Sequence, residues 1–92
     1  MYKLDSSHPA ILRALLDAGR PSVSVAMHAG LGCDILTTHV KGHPVFMECK
    51  PPGPPHKRKL TPSETKLRAL FPEHYAIAQT PEEALRAVGF AV

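Results

Sequence analysis

Residues 33–50, CDILTTHVKGHPVFMECK, decide how this chain folds. Two β-prone stretches, Cys33 to Val40 and Pro44 to Lys50, flank Lys41-Gly42-His43, which reads as a turn. The pair is expected to form an antiparallel hairpin. Side chains alternate across a strand, so Phe46, Glu48 and Lys50 share one face while Cys49 points to the other. Asp34 sits near the start of the first strand, and the hairpin brings it beside Glu48.

Working outward, His8-Pro9 opens a first helix, since proline is tolerated in the first turn. Ile11, Leu12, Leu15 and Leu16 recur at helical spacing, and Gly19 stands where the helix should stop. Val23, Val25 and Met27 alternate with Ser22, Ser24 and Ala26, which predicts a strand with one buried face. On the other side of the hairpin, Pro51-Pro-Gly-Pro-Pro55 forms a stiff, extended loop that carries His56-Lys-Arg-Lys59. Thr61-Pro-Ser-Glu64 opens a second helix with Leu67, Leu70 and Phe71 on one face. His74 to Gln79 reads as a strand, and Thr80-Pro-Glu-Glu83 opens a third helix with Leu85 and Val88 inward and Gly89 as its stop. The order is α-β-β-β-α-β-α, an α/β class: a small mixed β-sheet flanked by helices.

Ninety-two residues make one small domain, expected over 1–92, whose short chain buries limited surface. An apolar fraction of 43% excludes wholesale disorder. Two cysteines, Cys33 and Cys49, do not make a secreted disulfide scaffold, and both read as small buried residues. No apolar run reaches the ~18–20 residues that cross a bilayer, and the first residues lack a signal-peptide core. A soluble, cytoplasmic protein with no membrane partner is expected. The net charge of +3 is modest, but its distribution is not even. Between Lys41 and Arg68 the bases include Lys50, Lys57, Arg58, Lys59 and Lys66, whereas the only acids are Glu48 and Glu64.

Adjacent carboxylates at Asp34 and Glu48 repel each other unless a cation or a proton lies between them. Oxygen-rich sites suit Mg²⁺ or Mn²⁺. Lys50, one strand step further, can hold a water or stabilise charge. Together these are the parts for phosphodiester hydrolysis. Glu and Lys also occur at solvated strand ends; the hairpin geometry, the stiff basic loop and the scarcity of opposing acids favour the site. Local spacing supplies no Cys-x-x-Cys and no helical His-x₃-His, so a zinc site is not expected. Gly30-Leu-Gly32 lacks the further residues of a nucleotide loop. Few aromatics and no tryptophan argue against recognition of single strands by base stacking.

Gly32-Cys33-Asp34-Ile35-Leu36, Phe46-Met47-Glu48-Cys49-Lys50-Pro51 and Leu60-Thr61-Pro62-Ser63-Glu64 together resemble a stand-alone VRR-NUC domain of the PD-(D/E)XK nuclease superfamily. The resemblance covers about residues 30 to 90. It implies a restriction-endonuclease-like fold, metal-dependent cleavage of DNA, similarity to Holliday junction resolvases, and action as a homodimer. Cys33 stands where the family usually has proline, Glu64 where it has glutamine. The first helix has no obvious counterpart of the family's early glutamate, for Asp5 is a few residues off and Asp17 too near the helix end.

The expected metal ligands are thus Asp34, Glu48 and the Cys49 backbone carbonyl, which completes an oxygen shell from the same strand end. Lys50 is the expected positioning or charge-stabilising group. Glu64 has two readings, a further catalytic group or simply the reciprocal partner of Thr61 in a capping box. Lys57, Arg58 and Lys59 are expected to grip the phosphate backbone of branched or duplex DNA. The alternative to a nuclease is a basic DNA-binding module of the same fold without turnover. A homodimer would hold two sites in fixed relation, with Leu12 and Leu16 of the first helix expected at its interface.

Overall fold

The computed structural model describes residues 7–92. Its elements are α1 (His8–Asp17), β1 (Val23–Ser24), β2 (Ile35–Thr38), β3 (Pro44–Cys49), α2 (Pro62–Leu70), β4 (Tyr75–Ala78) and α3 (Pro81–Ala87), with single 3-10 turns over Ala29–Leu31 and Pro55–Arg58. The four strands form one sheet in the order β1-β2-β3-β4. β1–β2 and β2–β3 are antiparallel, and β3–β4 is parallel. The architecture is therefore the mixed α/β arrangement, with three helices flanking the sheet, that the order of elements predicts.

The hairpin pairs Ile35 with Met47 and Thr38 with Pro44. This register sends Ile35, Val45, Met47 and Cys49 to one face, where they pack with Ile11 and Leu15 of α1, Ala78 of β4, and Ala84 and Val88 of α3. Each of these side chains is essentially removed from water, which is the main force holding so short a chain together. The opposite face carries Phe46 and Glu48. There α2 closes over the sheet: Phe71 packs its ring on Phe46 with centroids 4.9 Å apart, and Leu67 is buried.

Three sequence expectations are corrected. β1 pairs over two residues only, and Val23 and Met27 are exposed rather than buried. It is an edge strand, and the chain turns away at once, with the His28 amide bonding the Val25 carbonyl. Leu70 is exposed, because α2 ends there and only Leu67 and Phe71 face the sheet. In α3, Ala84 shares the core with Val88, whereas Leu85 is half-buried. Helix ends follow the expected signals: Gly19 and Gly89 both take positive φ just past α1 and α3. Among the described residues no helix is long and apolar enough to cross a membrane.

Candidate metal and phosphodiester site

The β2–β3 ladder ends at the Ile35–Met47 pair, and Asp34, at the bend just before β2, lines one cleft together with Glu48. Asp34 is fixed from both ends. Its backbone N–H donates to Met47 O at 3.0 Å, and its Oδ2 accepts from the Cys49 N–H at 2.9 Å. Phe46 and Lys50 donate their amides to His74 O and Ala78 O, so the even residues of β3 bond β4. By the alternation of the ladder, the amide and carbonyl of Cys49 lie on the β2 side, beside Asp34.

Glu48 is 2% exposed. Its Oε2 lies 3.4 Å from Lys50 Nζ, while its Oε1 is buried without a hydrogen-bond partner. An orphaned carboxylate oxygen is costly, on the order of 1–3 kcal/mol. Burial first, then the charge of Asp34 and the hydrogen bond and charge of Glu64, push its carboxyl up to about 10. A carboxyl in that condition is held as the acid near neutral pH. Burial, then the charges of Glu48 and Asp34, also push the Cys33 thiol up to about 12.

Lys50 Nζ donates to Glu64 Oε1 at 2.8 Å, so one ammonium bridges Glu48 and Glu64. Burial opposes the charge on Lys50, but the contacts to Glu64 and Glu48 outweigh it and raise its pKa. Burial likewise opposes the charge on Glu64, yet Lys50 and the Thr61 amide win and hold it below the usual carboxylate range. Glu64 also completes the capping box of α2, with its Oε1 accepting from Thr61 N–H at 2.8 Å. The two sequence readings of Glu64 thus meet in one oxygen, which caps the helix and holds the lysine.

A cleft of about 330 Å³ opens over these groups, lined among others by Gly32, Asp34, Glu48, Thr61, Ser63 and Glu64. Two larger hollows, one at Pro21–Thr38 and one beside Leu31 and Leu70, hold no carboxylate. Gly32 shapes the cleft's rim. Its φ is +100°, and a Cβ there would stand 2.5 Å from the Ser63 carbonyl oxygen, so only glycine lets this loop touch the start of α2. Tyr75 pins the same loop by donating its hydroxyl to Gly32 O at 2.8 Å.

The basic loop divides. Lys57 and Lys59 are exposed. Arg58 turns inward, pairing with the Glu83 carboxylate and donating to Ile77 O, which anchors the loop to β4 and α3. Gln79 does similar work that sequence did not signal: its side-chain amide donates to Pro51 O at 2.9 Å and Gly53 O at 3.1 Å.

The sequence also did not signal His8. Ser7 Oγ donates to Lys50 O at 2.8 Å, which draws the start of α1 against the end of β3. His8, 1% exposed, thereby comes next to Asp34 and Cys49. Cys49 does sit in the core as expected, and no disulfide joins it to Cys33. Its sulfur nonetheless lies within 4.8 Å of an Asp34 oxygen, because the two faces of the sheet meet at the strand end. Asp5 lies outside the described residues. The one acid of α1, Asp17, pairs with Arg13 on the exposed surface, remote from the cleft.

No family model, no curated protein and no solved structure matches this chain.

Proposed function

We propose that this chain is a Mg²⁺- or Mn²⁺-dependent endodeoxyribonuclease of restriction-endonuclease-like fold, acting on branched or duplex DNA. The observation that carries the reading is the buried Oε1 of Glu48, without a hydrogen-bond partner, in the cleft that Asp34 also lines. Asp34, Glu48 and the Cys49 carbonyl would hold the cation, and an all-oxygen donor set fits a hard divalent ion. Such an ion, when bound, polarises a phosphoryl oxygen and makes water a better nucleophile. Lys50 orients that water or stabilises charge as it develops, while Glu64 positions Lys50. Lys57 and Lys59 bind phosphates, and Arg58 keeps their loop in place. Mg²⁺- or Mn²⁺-dependent nicking of plasmid and four-way-junction DNA, lost in Asp34→Ala, is the direct test.

A second reading has its own support. Lys50 is already paired with the Glu64 carboxylate at 2.8 Å, and α1 brings no acid to the cleft. A binding module without turnover would shift DNA in a gel without metal and never cut it.

Resolution of a four-way junction needs two opposed nicks, hence two sites, which a two-fold homodimer would supply. Leu12 packs against the protein's own core, so of the two leucines proposed for an interface Leu16, 48% exposed, is the better candidate. Light scattering reports the mass.

A further inference from the structure

We propose that His8, Asp34 and Cys49 form a second site, for a borderline-soft divalent cation of the zinc class, on the far side of Asp34 from Glu48. One ring nitrogen of His8, the Cys49 sulfur and an Asp34 oxygen all lie within 4.8 Å of one another. Metal bonds of ~2.0–2.3 Å at tetrahedral angles set ligand atoms ~3.3–3.7 Å apart, so the three need close by at most ~1–1.5 Å. The donor set selects the metal: thiolate and imidazole favour zinc over magnesium. Thiolate and carboxylate also neutralise a divalent charge where His8 and Cys49 are fully buried.

The surroundings are those of a held ligand set. His8 Nε2 bonds Ser24 Oγ at 3.1 Å, while Nδ1 is buried with no hydrogen-bond partner. A hydrogen bond from one ring nitrogen that leaves the other as an open donor atom is how proteins orient metal-binding histidines. Cys49 N–H to Asp34 Oδ2 fixes the carboxylate, and Ser7 Oγ to Lys50 O fixes the start of α1 that carries His8. The three ligands come from α1, the turn into β2 and the end of β3, a spread that no local spacing motif reveals.

The test is anaerobic titration of the reduced full chain with Co²⁺, read by absorption. One equivalent should produce the d–d bands of a tetrahedral ion and a thiolate-to-cobalt charge-transfer band, both displaced by Zn²⁺. Cys49→Ser should remove the charge-transfer band, Cys33→Ala should keep it, and His8→Gln should weaken Co²⁺ binding at least about tenfold. If Cys49→Ser does not fold, persistence of the band in Cys33→Ala still assigns it, since the chain has two cysteines. A wild-type chain without the band, a band lost in folded Cys33→Ala, or unchanged affinity in folded His8→Gln would each overturn the proposal. The readout is a spectrum rather than cleavage, so its failure and failure of the nuclease reading are separate results.

Discussion

Asp34 and Glu48 line one cleft at the end of the β2–β3 hairpin, and the Cys49 amide donates to Asp34 Oδ2 at 2.9 Å. One acid is thus held by the backbone while the other, Glu48, keeps a buried oxygen with no partner. That asymmetry separates their roles. Asp34 offers a carboxylate fixed in place, and Glu48 a carboxyl that burial holds as the acid.

The first prediction concerns that proton. Glu48 is pushed up to about 10, so near neutral pH the metal must displace a proton from it. Affinity for Mg²⁺ should rise by close to tenfold per pH unit between about pH 6 and 9, with about one proton released per ion. Calorimetry in buffers of differing ionisation enthalpy measures the release. The linkage to stability has a fixed sign. A carboxyl whose folded pKa exceeds its ordinary value of 4.5 binds its proton more tightly when folded. Its stabilising contribution is therefore full below that value and is lost as pH rises toward 10. Glu48→Gln should stabilise the metal-free protein at pH 8 by about 1–3 kcal/mol and do little at pH 4.

Lys50 Nζ lies 2.8 Å from Glu64 and 3.4 Å from Glu48, so its charge is already paired with Glu64. Lys50→Ala should lower the single-turnover cleavage rate by about 100-fold or more while leaving DNA affinity nearly unchanged. Loss of affinity at an unaltered rate would assign Lys50 to phosphate binding instead.

Within the basic loop the residues should behave differently. Replacing Lys57 and Lys59 with alanine should flatten the slope of log K against log salt by up to ~0.9 per lost contact, without lowering Tm. Arg58→Ala removes the pair with Glu83 and the bond to Ile77 O, and should lower stability by about 1–2 kcal/mol. A Tm unchanged in Arg58→Ala would show that its inward contacts carry no weight.

Much of this arrangement was legible in the chain. The Lys41-Gly42-His43 turn flanked by β-prone runs set the hairpin and its register, and with them the meeting of Asp34 and Glu48. Thr61-x-x-Glu64 marked the start of α2, because a capping box is a local device. What remained hidden depends on contacts distant in sequence. The Val23–Met27 alternation looked like a half-buried strand, but at a sheet edge Val23 and Met27 stay exposed. Arg58 looked like one of three equivalent bases until Glu83 came within reach. His8 read as a helix start, and only the Ser7–Lys50 bond brings it against Cys49.

The central claim is that Asp34 and Glu48 bind a catalytic cation, and the most direct measurement compares cleavage with binding in the same variants. Asp34→Asn and Glu48→Gln should abolish Mn²⁺-dependent nicking of a four-way junction and of supercoiled plasmid. Both should bind the junction as tightly as the wild-type chain or slightly better, since negative charge facing phosphate is removed. Full metal-dependent cleavage by both single variants would contradict the account.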